Sequence, residues 1–174
     1  MSIEGKRIAI LVEEGFEDSE LTRPMAELKK AGAAITVVGG EAGKTYNGKH
    51  GREQVTADSA AEEVTSEDFA ALVIPGGGAP EKMRLNPHMV QLAQDMNAAR
   101  KTIASICHGA QLLITADILR GRTATCWKGI RDDVKNAGAE YRDEPVVVDG
   151  NLISSRMPSD IPVFVKAIKE ALSD

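Results

Sequence analysis

Two cysteines in 174 residues, Cys107 and Cys126, are too few for a disulfide framework or a cysteine-rich zinc site. Three scattered histidines, His50, His88 and His108, give little ground for a metal centre, so neither metal nor cofactor is expected. No apolar run approaches the roughly 20 residues of a membrane helix. The opening "MSIEGKRIAILVEEG" carries acids where a secretory signal would need a longer apolar stretch. Basic residues form no cluster, and acids outnumber them 26 to 21, for a formal net charge of -5. That balance argues against nucleic acid and anionic membranes as partners. Repeats and low-complexity tracts are absent as well. The expectation is a cytoplasmic protein of one domain, residues 1–174, whose 43% hydrophobic content suffices for a sizeable core.

What is present is an alternation of strand-like and helix-like segments. "KRIAILV" (6–12), "AAITVVGG" (33–40), "FAALVIPGGG" (69–78) and "KTIASI" (101–106) are apolar runs of strand length. Between them, "SELTRPMAELKKAG" and "PHMVQLAQDMNAAR" carry apolar residues at helical spacing. Such alternation predicts an α/β fold with a mostly parallel central sheet and helices on both faces. The polar stretch 41–68 predicts a short hairpin or edge strands around Asn47-Gly48, and "PVVVDGNLISS" a hairpin around Asp149-Gly150-Asn151. A final amphipathic helix is expected from "PSDIPVFVKAIKEAL", with turn-and-cap chemistry at Pro158 and Ser159.

Ligands of parallel sheets bind at the carboxyl ends of strands. This puts "EEGFEDSE", "PGGGAPE" and "CHGA" on one rim. In "TIASICHGAQLLI" (102–114) a strand turns directly into a helix at Cys107, the arrangement of a nucleophile elbow. The helix start beside the sulfur is expected to favour thiolate and lower its pKa; the alternative is a buried structural thiol, which is the reading for Cys126. Gly76 and Gly77, with the amide of His108, are candidate oxyanion donors. A phosphate-binding glycine loop is the other reading, but neither G-x-G-x-x-G nor a Walker lysine follows. His108 can serve as base only if its ring folds back over the sulfur, and the sequence leaves both orientations open. One carboxyl of the acidic run, kept protonated by burial, could hydrogen-bond the ionised sulfur.

The motifs "GFEDSEL", "KHG", "LVIPGGGAPE", "ASICHGAQLLI", "LRGR", "DDVKNAGAE" and "VVVDGNLISSR" together resemble the PfpI-type intracellular cysteine peptidase family, related to the parkinsonism-associated deglycase and to glutamine-amidotransferase-like domains. The resemblance spans essentially the whole chain. It implies a flavodoxin-like α/β sandwich, Cys107 as nucleophile, His108 as base or orienting partner, and Glu20 as the carboxyl bonded to the cysteine, with Glu17 second. It also implies that Glu81, supplied by a neighbouring subunit of a dimer or hexamer, completes a Cys-His-Glu triad. Three positions depart from the family pattern: Ala110 for proline, Gly78 for a bulkier polar residue, and Trp127 for a phenol near the pocket. The implied activity is a thiol hydrolase of peptides or related carbonyl compounds. The alternatives are a glyoxalase or deglycase acting on methylglyoxal or its adducts, and a non-enzymatic redox sensor or holdase. Glutamine amidotransfer is disfavoured because no histidine follows residue 108.

Overall fold

The computed structural model describes residues 1–173. In chain order the elements are β1 (Arg7–Leu11), α1 (Asp18–Lys30), β2 (Ala34–Gly39), β3 (Thr45–Asn47), β4 (Gln54–Thr56), β5 (Ser59–Ala60), β6 (Ala71–Ile74), α2 (Ala79–Met83) and α3 (Pro87–Ala98). Then come β7 (Thr102–Ile106), α4 (Ala110–Thr115), β8 (Thr123–Ala124), α5 (Arg131–Asn136), β9 (Glu140–Tyr141), β10 (Val146–Asp149), β11 (Leu152–Ser155) and α6 (Ile161–Leu172). The expected α/β architecture is present.

Seven strands form the central sheet in the order β10-β11-β7-β6-β1-β2-β5, parallel except for the β10–β11 hairpin. β1, β6 and β7 lie in its middle, and Ile8, Ile10, Leu72, Ile74 and Ala104 are fully buried, as strands covered on both faces require. α1 and α6 pack together over one face, while α3 and α4 pack over the other. After β2 the chain crosses back to place β6 on the far side of β1, so strand order reverses between β1 and β6. Such a reversal opens a crevice at the carboxyl ends of the two strands.

Of two local expectations, one is met and one altered. The hairpin expected around Asn47-Gly48 is present as β3 and β4: Asn47 is the last paired residue of β3, opposite Gln54, and the chain turns through residues 48–53. The Asp18 carboxylate gathers the amides of that loop. At the last helix, Pro158–Asp160 form a 3₁₀ turn ahead of α6 and no side chain caps it. Asp160 instead accepts from Arg156 Nε at 2.9 Å and its Nη2 at 3.0 Å, tying β11 to α6. Among the described residues no helix is long and apolar enough to cross a membrane.

Candidate active site

The rim at the reversal point carries three loops. Cys107 follows β7 with φ of +61°, a left-handed conformation that a non-glycine residue holds only when its surroundings enforce it. Two contacts enforce it. Gly109 starts the helix so close to β6 that a Cβ there would lie 2.6 Å from the Ile74 carbonyl oxygen. On the other side, the Trp127 amide donates to the Cys107 carbonyl at 3.2 Å. The result is a half-buried sulfur presented on the rim.

The glycine loop after β6 closes against it. A Cβ on Gly76 would lie 2.5 Å from Glu20 Oε1, 2.9 Å from Cys107 Cβ and 3.0 Å from the His108 nitrogen, so only glycine fits where α1, β6 and the elbow meet. The Gly76 amide donates to Glu20 Oε1 at 2.9 Å. That bond corrects the expectation for Gly76: its N–H is committed to the carboxyl and is not free for an oxyanion. Gly77, with φ of +80°, and His108 turn their amides toward the Cys107 sulfur instead. These two amides lower the pKa of the thiol and are the ones left beside the sulfur.

Glu20 is fully buried, and its Oε2 has no hydrogen-bond partner among the described residues. Burial, only partly offset by the Gly76 amide, pushes its pKa up to about 8. At neutral pH Glu20 is therefore a carboxylic acid, and it interacts with the Cys107 side chain. The thiol itself does not follow the sequence expectation. Burial and then the charge on Glu20 push Cys107 up to about 12, outweighing the amides of His108 and Gly77. The helix behind it is only a 3₁₀ turn, Cys107–Gly109, and the six-residue α4. Its partial charge is too small to overcome the lost solvation.

His108 folds back over the sulfur, with Nδ1 3.4 Å from Sγ. Burial, helped by Lys49, lowers its pKa, so the ring is neutral at pH 7 and can accept the thiol proton. The thiol and a neutral imidazole thus form an unionised pair poised for transfer. Nε2 on the outer side of the ring has no partner among the described residues.

The remaining candidates lie farther out. Glu17 turns to the mouth, where it accepts from Lys49 Nζ at 3.2 Å and meets His50 Nε2 at 3.1 Å. It is committed there and does not reach the sulfur as the second acid. Trp127 is half-buried and packs against the core, contacting the elbow through its backbone. Glu81 is exposed on α2 and has no ion pair or hydrogen bond with the described residues. Sequence reasoning missed Lys49, whose charge acts on Cys107, Glu20 and His108, and Asp18, which holds the loop carrying it. The signal was the "KHG" of a hairpin turn facing "FEDSE".

Comparison with known proteins follows the same residues. The DJ-1/PfpI family matches residues 6–171. Protein/nucleic acid deglycase 2 of Escherichia coli K12 is 47% identical over 160 residues, covering 91% of this chain and 93% of that protein. General stress protein 18 of Bacillus subtilis is 46% identical over 161 residues, with coverage of 92% and 94%. Among solved structures, a two-domain protein from Anabaena variabilis with DJ-1/ThiJ/PfpI-like and ferritin-like domains superposes with a TM-score of 0.95 at 46% identity. The match covers 96% of this chain and 48% of that one, so the chain spans about half of the two-domain protein.

Proposed function

The chain belongs to the DJ-1/PfpI family, and from that premise we propose that it is a cysteine-dependent enzyme of the deglycase and glyoxalase type, acting on methylglyoxal or its adducts. The observation that carries the reading is the half-buried Cys107 sulfur, 3.4 Å from a neutral His108 Nδ1 and backed by a protonated Glu20. A small aldehyde can reach such a sulfur without an extended chain lying across the rim. The name of the E. coli relative points the same way.

The chemistry needs no group beyond these side chains. The thiol proton passes to His108 as sulfur bonds to the aldehyde carbon, and the amides of Gly77 and His108 hold the oxygen as it gains charge. Return of the proton to that oxygen completes a hemithioacetal. His108 then takes the hydrogen of the former aldehyde carbon as a proton and delivers it to the adjacent carbonyl carbon, while the hydroxyl proton passes from the first oxygen to the second. This leaves the thioester of a hydroxy acid, and water releases lactate and the free thiol. As the sulfur gains charge, the protonated Glu20 carboxyl beside it donates to it and spreads that charge.

A second reading, peptide hydrolysis, is favoured by one observation: the outer nitrogen of His108 and the Glu81 carboxylate both lack partners among the described residues. In that reading a dimer or hexamer brings Glu81 of one copy to His108 of the next, and activity disappears on dilution to monomer. Both readings place the enzyme in the cytoplasm. The deciding measurement follows methylglyoxal consumption and lactate by NMR, beside a fluorogenic peptide, for the native chain and Cys107→Ser. Cysteine-dependent lactate is expected. Peptide cleavage without lactate would overturn the deglycase reading in favour of the peptidase, and two rates indifferent to Cys107→Ser would leave a redox sensor or holdase.

A further inference from the structure

The Asp18 carboxylate is buried at the first turn of α1, yet it contacts no catalytic group. Its Oδ1 accepts from the His50 amide at 2.9 Å, and its Oδ2 from the amides of Arg52 and Glu53, both at 3.0 Å. Gly48 lies against the same carboxylate so closely that a Cβ there would collide with it. Next to it the Lys49 amide donates to the Phe16 carbonyl at 2.8 Å. One acid therefore shapes the whole 48–53 turn. The two side chains this turn projects, Lys49 and His50, are the ones that reach Glu17.

We propose that Asp18 is a positioning residue: by gathering the amides of residues 48–53 it seats Lys49 and His50 on Glu17 and sets the charge that a reagent meets on its way to Cys107. The proposal rests on the reading of Cys107 as the reacting group. Without the pinned turn, Glu17 alone would face the mouth, and its negative charge would oppose anionic or electron-rich carbonyl compounds. With Lys49 in place that charge is cancelled, and a cation is directed at the reacting groups. Asparagine cannot do the same work. Its amide nitrogen is a donor and, whichever way the group turns, faces either the His50 N–H or those of Arg52 and Glu53 in place of an acceptor.

Iodoacetate and iodoacetamide are nearly equal in size and differ by one charge, so the ratio of their rates at Cys107 reads the field at the mouth. Mass spectrometry follows both in the intact protein. Asp18→Asn is expected to lower the iodoacetate-to-iodoacetamide ratio about threefold at low salt, with the effect shrinking as salt rises. Lys49→Met should lower it by a similar factor, and the double variant no further. General loosening would speed both reagents together and leave the ratio unmoved. If Asp18→Asn does not fold, Gly48→Ala decides, because it keeps the acid and displaces the turn by steric contact. A native ratio in Asp18→Asn or, failing that, in Gly48→Ala would overturn the proposal, as would a native ratio in Lys49→Met. Absence of methylglyoxal turnover in the native chain would sink the proposed activity while leaving this ratio to be read independently.

Discussion

Asp18 and Glu20 stand two residues apart in the first turn of α1, both buried, and their surroundings drive them in opposite directions. Burial alone would raise either pKa. At Asp18 the amides of His50, Glu53 and Arg52 outweigh burial and bring the carboxyl below its usual 3.8. At Glu20 the single Gly76 amide does not, and the carboxyl rises to about 8. Glu20 lies much deeper than Asp18 and has one main-chain donor where Asp18 has three, and the two differences together decide which is a neutral acid and which a fixed anion. One region of the helix start uses a carboxylate to build a loop. The other keeps a carboxylic acid beside a sulfur.

The largest expected effect breaks the second region. Glu20→Leu removes the acid from the sulfur and should lower Cys107-dependent turnover about 100- to 1,000-fold, the loss typical when one aligned donor is removed from a reacting group. For the native chain, turnover should fall as pH rises through about 8, where Glu20 loses its proton. A flat profile from pH 7 to 9 would show that the proton on Glu20 plays no part.

Stability should move with pH in the same direction, and linkage fixes the sign. Between pH 4.5 and about 8 folded Glu20 holds a proton that the unfolded chain has released. The contribution is full below about 4.5 and is lost as pH rises to about 8. Glu20→Gln cannot ionise and keeps an acceptor for the Gly76 amide. It should gain about 5 kcal/mol over the native chain between pH 4.5 and pH 8, measured as the difference in urea unfolding. An unchanged difference would mean that Glu20 is ionised in the fold.

How much of this contrast could be read from residues alone differs between the two acids. The parallel sheet was legible because β1, β2, β6 and β7 are predominantly apolar segments of strand length with helical periodicity between them. The elbow was legible because a strand meets Cys-His-Gly without a loop. Burial of Glu20 was foreseeable from its place behind the first strand. The raised Cys107 pKa was not, since the expectation weighed helix charge and gave too little to lost solvation. Gly76 was misassigned because a sequence shows which residues are glycine but not which N–H is already taken. Asp18 left almost no trace, because its partners are main-chain amides 32 to 35 residues away, and main-chain donors look alike in every sequence.

Asp18 sharpens the first region. Its folded pKa is lowered, so its contribution is present above the unfolded value of 3.8 and is lost as pH falls through the folded value. Asp18→Asn should cost about 2 kcal/mol at pH 7, the scale of lost hydrogen bonds to a charged acceptor, and the cost should shrink in strong acid. Calorimetry at pH 7 and pH 3 checks it. A cost equal at both would assign the loss to packing rather than to the carboxylate.

The smallest effect concerns the cysteines, which repeat the comparison with the outcome reversed. Burial raises both thiols to about 12, so ionisation does not tell Cys107 from Cys126. Neighbours and access do. Cys126 is fully buried and donates to the Trp127 carbonyl at 3.2 Å, whereas Cys107 is half-buried and faces the neutral imidazole nitrogen of His108. Reactivity should therefore follow the path of the proton rather than the resting charge. Iodoacetamide should label Cys107 in the folded chain and leave Cys126 untouched until unfolding. A serine can keep the bond to Trp127, so Cys126→Ser should retain turnover within about twofold and lose at most about 1 kcal/mol of stability. A larger fall in turnover would mean that the segment from Cys126 to Trp127 holds the elbow in shape through the side chain of Cys126, and not through the Trp127 amide alone.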